Sequence, residues 1–247
     1  PSSHWSRIIA LVLSECHSSF ERKLVDITKA ATFEPAYLRL NSRGVVPTLV
    51  DGETVVCDGR TIAAYINDQA GAKLCPSDNA EYTLWAEQLH DFPVMLFSYS
   101  VWILGKKGEK SADILADKVS RARAYAAEHS ELREAYLRKA DFFEEFRRQL
   151  HDEKFVAGAK AQAVERLDEL GLRLLEAQWV GGETYTFADS IATSILYRLI
   201  DLGILAHWAS DESHGLYGYY RRLQERPSFR AVFQDDPLIP EKYRLKA

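Results

Sequence analysis

Residues 43–65 read RGVVPTLVDGETVVCDGRTIAAY, and Pro47, set inside an apolar strand-like run, constrains the fold more than any other residue. Proline has no N–H and cannot serve a central sheet ladder. The Val46-Pro47 step therefore belongs at a strand start or a tight bend, with a cis peptide as one way to make it. A backbone edge left unpaired there is open to a ligand. Asp51-Gly52 then predicts a hairpin turn between strands at 46–50 and 54–56.

The segments around this hairpin alternate in type. Ile8, Ile9, Leu11 and Val12 follow a helical spacing over residues 5–16, with Ser2 or Ser3 able to cap the helix. FERKLVDI (20–27) reads as a short strand, 33–40 as a short helix, and RTIAAYIN as a helix opened by Asp58. Residues 1–75 thus run α-β-α-β-β-α. Parallel strands need a crossover, so a strand of about 6–10 residues is expected upstream of Pro1. LCPSDNAE (74–81) reads as a linker, and beyond it helices are expected over 79–104, 111–150 and 159–177, with breaks at GKKGEK and near His129 and Ala157. Thr186 and Asp189 have the spacing of a capping box and open the apolar helix IATSILYRLIDLGI. The expectation is an α/β domain over 1–76 followed by an all-helical domain over 80–247.

Composition removes several function classes. A net charge of −5 with no long Lys/Arg block argues against a nucleic-acid partner. No run approaches the roughly 18 apolar residues of a membrane span, and the first residues lack the pattern of a signal peptide. Three cysteines with no CxxC point to reduced thiols in a cytosol and to no metal centre.

Four segments, in order, resemble the cytosolic glutathione transferases: SHWSRIIALVLSE (3–15), NSRGVVPTLVDG (41–52), CDGRTIAAYI (57–66) and TYTFADSIA (184–192). The resemblance implies a thioredoxin-like N-terminal domain, glutathione as co-substrate and a two-fold homodimer. It implies that Val46 offers backbone groups to the cysteinyl part of glutathione while Pro47 bends the chain toward it. It places Asp58 where the family receives the γ-glutamyl ammonium, and Gly59 where the family usually has serine. Gly59 loses that hydroxyl but keeps a backbone N–H at a helix N-terminus, which suits an anion.

A glutathione thiol with a pKa of about 8.5 is mostly protonated at neutral pH. Lowering it by about two units takes roughly 2.7 kcal/mol. One hydroxyl bond to the charged sulfur supplies about 1.5–3 kcal/mol and a helix N-terminus about 0.3–1 more. The family alignment gives this role to Ser3, or to Ser2 if shifted by one, and allows His4 a bond to the tripeptide. Cys16 lies at the unfavourable end of its helix for a thiolate, and Cys57 precedes an acid, so neither reads as a nucleophile. The aromatic run of WAEQLHDFPVMLFSYSVWIL, with Trp85, Phe92, Phe97, Tyr99 and Trp102, is the expected seat of a hydrophobic electrophile, broken early by Pro93.

The long 79–150 segment resembles bacterial members that cleave lignin β-aryl ethers, and ATFEPAYLRLNSRGVVPTLV resembles aromatic reductive dehalogenases. Trp5 falls where those dehalogenases carry their active-site cysteine. The function expected is thiolate attack on a small hydrophobic, aromatic electrophile. The alternative is a non-catalytic binding protein of the same fold, with Gly59 as its sign, and a reductive dehalogenase stands third.

Overall fold

The structure is a computed structural model, which describes residues 3–105 and 114–235. Ser2 and most of the GKKGEK break (106–110) lie outside the described residues. The chain divides into two compact units, each described by itself. One contains the chain up to Glu21, Asp58–Val94 and the chain from Lys160 on; the other contains Arg22–Cys57 and Met95–Ala159.

In the first unit, α1 (His4–Glu15) begins at Ser3, whose side chain accepts the Ser6 N–H, and buries Ile8, Ile9, Leu11 and Val12. Helix α3 (Gly59–Gln69) is capped by Asp58, and α4 (Ala80–His90) by Asn79. Both α1 and α4 pack on α9 (Phe187–Leu202), which is buried from Phe187 through Leu199. The Thr186–Asp189 capping box is formed as its spacing predicts. Asp189 also accepts the Val180 N–H at 2.9 Å and the Tyr219 hydroxyl at 2.8 Å, so this fully buried carboxylate ties three segments together. Helix α10 (Gly215–Glu225) and the short α11 (Pro227–Phe229) complete the unit.

In the second unit, α2 (Pro35–Leu40) is preceded by a 3-10 turn over Ala31–Phe33. The hairpin pairs β1 (Leu49–Asp51) with β2 (Thr54–Val56) in the register Leu49↔Val56, Val50↔Val55, Asp51↔Thr54. The Asp51-Gly52 turn is therefore where the sequence puts it, and the Val46-Pro47 bond is cis. Helix α5 (Val94–Tyr99) runs into a π-helical turn over Ser100–Leu104. Helices α6 (Ile114–Glu128) and α7 (Arg133–Leu150) form an antiparallel pair around a core of Phe33, Leu96, Leu115, Val119, Phe143, Phe146 and Leu150. The first residues of α8 (Glu153–Glu176) close this unit, and from Lys160 on the helix belongs to the first.

Two expectations are corrected. Residues 20–27 are not a strand: the hairpin is the whole sheet among the described residues, and this segment takes no part in its ladder. Phe20 and Leu24 are exposed there. Helix α8 starts at Glu153 rather than 159, because Asp152 accepts the N–H groups of Lys154 and Phe155, both at 3.0 Å. Gly158 is carried inside the helix at a cost of about 1 kcal/mol relative to alanine. The 79–104 stretch is broken where Pro93 predicts: α4 ends at His90 and α5 begins at Val94, since the proline cannot continue the ladder. Among the described residues, no helix is long and apolar enough to cross a membrane.

Candidate active site

Two helix N-termini and one loop hold the residues that the sequence singles out. At α1, the Ser3 Oγ accepts the Ser6 N–H at 3.3 Å. That bond uses a lone pair, and among the described residues nothing accepts the Ser3 hydroxyl proton, which remains able to donate. At α3, Asp58 Oδ1 accepts the N–H groups of Arg60 (3.0 Å) and Thr61 (3.2 Å) and the Thr61 hydroxyl (3.3 Å).

Gly59 has a steric cause. A Cβ on it would stand 2.4 Å from Trp5 Cε3 and 2.8 Å from Cζ3, so the indole occupies the place where a serine side chain would go. Trp5 in turn packs on His90, ring centroids 4.9 Å apart, and edge-on to His4 at 5.9 Å. The departure at Gly59 is thus coupled to the bulky residue at position 5. Neither residue alone signals this in the sequence, since they meet only through the packing of α1 on α3.

His4 is half-buried, and burial drives its pKa down from 6.5 to about 3, helped by Arg198, Arg7 and His90. Its Nδ1 lies 2.7 Å from Ser194 Oγ, and the Ser194 hydroxyl donates to the His4 carbonyl at 3.3 Å. Both contacts are made together only if Nδ1 carries the ring proton, which leaves Nε2 as an acceptor. Ser194, on α9, is a partner that sequence spacing did not indicate.

The loop before β1 is wired internally. Asn41, 1% exposed, donates from Nδ2 to the Val45 carbonyl and to Thr48 Oγ1, both at 2.9 Å, and its Oδ1 accepts the Arg43 N–H at 3.1 Å. The Tyr37 hydroxyl donates to the same Val45 carbonyl at 2.8 Å. Gly44 sits at φ +58°, and a Cβ there would meet Leu38 Cδ1 at 2.7 Å and the Thr32 carbonyl oxygen at 2.9 Å. Only glycine fits. Val46 is half-buried beside the cis peptide, and among the described residues its N–H and C=O make no hydrogen bond.

The aromatic stripe divides by burial. Phe97 is fully buried and Phe92 nearly so, whereas Tyr99 is half-buried and Trp102 is 41% exposed. Tyr99 packs edge-on against Phe146 at 5.4 Å and tilted against Trp102 at 5.9 Å. Tyr99 and Trp102 flank the start of the π-helical turn; Ser100 donates to the Leu96 carbonyl at 2.8 Å within it. Burial raises the Cys16 thiol pKa, with Cys75 and Glu15 adding to the effect, so it does not present a thiolate. The fold also gathers Asp168, His207 and His214, which are remote in sequence. His214 Nδ1 accepts the Leu216 N–H at 3.2 Å, so a neutral ring keeps its proton on Nε2, facing Asp168 Oδ1 at 3.5 Å.

Residues 2–69 match the pattern of "Glutathione S-transferase, N-terminal domain". The tetrachloro-p-hydroquinone reductive dehalogenase of Sphingobium chlorophenolicum is 33% identical over 227 residues, which cover 90% of this chain and 88% of that protein. In structure, the chain is similar to the beta-etherase LigF from Sphingobium sp. strain SYK-6, with a TM-score of 0.70, 19% identity and coverage of 92% of this chain and 93% of that one. It is also similar to a theta class glutathione S-transferase from Xanthomonas axonopodis pv. citri with glutathione bound, with a TM-score of 0.65, 20% identity and coverage of 93% and 92%. The chain belongs to the glutathione S-transferase family and is an enzyme of that family.

Proposed function

We propose that this enzyme activates glutathione as its thiolate for attack on a small hydrophobic, aromatic electrophile. The observation that carries the reading is the Ser3 hydroxyl, which accepts a bond from Ser6 and has its own proton unspent at the positive end of a twelve-residue helix. A donor so placed favours the charged sulfur over the neutral thiol by roughly 2–4 kcal/mol, enough for the roughly 2.7 kcal/mol that two units of pKa require. Val46 offers the cysteinyl backbone an N–H and a C=O, Asp58 receives the γ-glutamyl ammonium, and the Gly59 N–H meets the γ-glutamyl carboxylate in place of a serine hydroxyl. His4 presents an acceptor to the tripeptide.

The aromatic character of the electrophile is supported by a relative whose name specifies a chlorinated hydroquinone substrate, and by Tyr99 and Trp102, which keep exposed ring surface. Phe92 and Phe97, buried as they are, would bear on the electrophile only through the exposed rings. The reading includes a homodimer in the cytosol, as is general for the family; sedimentation at micromolar concentration checks the dimer. Retention on immobilised glutathione, followed by a screen of glutathione with chlorinated aromatics and β-aryl ethers, tests the function. Thiolate-dependent loss of one of these substrates supports it, and inertness toward all of them with glutathione bound overturns it.

A further inference from the structure

Helix α7 carries a lysine where its own periodicity calls for an apolar residue. Tyr136, Phe143, Phe146 and Leu150 mark the buried face of α7, and Lys139, 7% exposed, stands on that face with them. Its ammonium donates to the Gly44 carbonyl at 2.5 Å and lies over the Phe33 ring, 4.4 Å from its centroid, and over Phe143 at 5.5 Å. No carboxylate lies within ion-pair distance of it among the described residues. The charged group nearest it is another cation, Lys118 on α6, which shares the same two rings. Burial first, and Lys118 second, lower the Lys139 pKa from 10.5 to about 8. A solitary buried ammonium is an expensive way to fill a core position. One turn earlier, the Tyr136 hydroxyl donates to the Phe33 carbonyl at 2.6 Å, so α7 holds the segment before β1 at two carbonyls.

What the lysine holds is specific. Gly44 is the left-handed residue of the loop, its N–H donates to the Asn41 carbonyl at 2.7 Å, and two residues later comes Val46 with its unpaired N–H and C=O. Asn41 and Tyr37 fix the Val45 carbonyl from the chain-local side. Among the described residues, Lys139 alone fixes Gly44 from outside the loop, across 95 residues of sequence. We propose that Lys139 is a positioning residue for glutathione, its ammonium clamping the Gly44 carbonyl so that the Val46 backbone edge is held in the orientation the tripeptide needs. This rests on the glutathione-binding role given to Val46 above.

Lys139 touches neither thiol nor electrophile, so its loss acts on binding and not on chemistry. Lys139→Met keeps the length and apolar stem, removes the buried charge and deletes the clamp. The expected result is a KM for glutathione raised about three- to tenfold with kcat within about twofold, and faster amide exchange at Gly44–Val46. Melting temperature at pH 7 should be equal or higher, since a buried unpaired charge is gone. Tyr136→Phe, which releases only the more distant Phe33 carbonyl, should leave the KM for glutathione within about twofold. A purely structural lysine would instead lower the melting temperature and leave the ratio of KM to kcat unmoved, which would overturn the proposal. So would unchanged KM and unchanged exchange, or failure of Lys139→Met to fold. If the unaltered protein binds no glutathione, the reading of Val46 falls and this inference falls with it; if it binds and Lys139→Met binds equally, the inference alone falls.

Discussion

The helix N-termini at Ser3 and Asp58 and the loop at Val46 are held in opposite ways. Ser3 and Asp58 are fixed by bonds to backbone two or three residues ahead of them. Such capping is written in the local sequence and survives most changes elsewhere. The loop is fixed by a fully buried asparagine, a left-handed glycine and a lysine 95 residues away. The comparison teaches that the two kinds of feature rest on different support. On the proposed function, the Ser3 hydroxyl and the Asp58 carboxylate act from short-range caps, whereas the Val46 edge depends on a scaffold assembled by tertiary packing.

If so, altering the helix termini should separate cleanly by residue. The largest effect is expected from Ser3→Ala, with turnover near neutral pH falling about ten- to a hundredfold while the KM for glutathione stays within a few-fold; steady-state kinetics over both substrates reads this. A comparable rise in KM would show that the serine binds more than it activates. Next comes Gly59→Ser, which restores the family's usual residue and drives its Cβ into the Trp5 indole. A loss of about 1–3 kcal/mol in urea unfolding is expected, largely recovered when Trp5 is also reduced to alanine. Additive losses in the double variant would break the coupling inferred between positions 5 and 59.

Asp58→Ala should cost about 1 kcal/mol of stability through the lost cap and weaken glutathione binding measurably by calorimetry, with the acidity of the bound thiol largely kept. The last effect is confined to acid pH and concerns His4, whose folded pKa of about 3 lies below the ordinary 6.5. Between those values the unfolded chain takes up a proton that the folded one refuses, so stability from this group is present above pH 6.5 and lost progressively as the pH falls toward 3. His4→Gln should flatten that part of the acid-unfolding curve. An unchanged acid slope would mean that the ring is protonated in the folded protein.

The same division explains what could be read in the sequence. Pro47, the Asp51-Gly52 turn, the Asp58 cap and the Thr186–Asp189 box are short-range chemistry, and each is found where its spacing puts it. The start of α8 is also local, in Asp152, and the break expected near Ala157 is carried inside the helix. The strand expected at 20–27 failed because a strand exists only with a neighbour, and β propensity says nothing about which neighbour is there. Trp5 against Gly59 and His4 against Ser194 are contacts between elements, with no periodicity to betray them. Lys139 did leave a trace: it interrupts the apolar stripe of α7 at a buried position, a signal visible only once the helix register is fixed.

The central claim is that the Ser3 hydroxyl donates to the glutathione sulfur, and the absorbance of bound thiolate titrated against pH in the unaltered enzyme and in Ser3→Ala tests it most directly. The account predicts a bound-thiol pKa about one to two units higher in the variant, with glutathione still bound. An identical titration curve in the two proteins would contradict it and remove Ser3 from the chemistry.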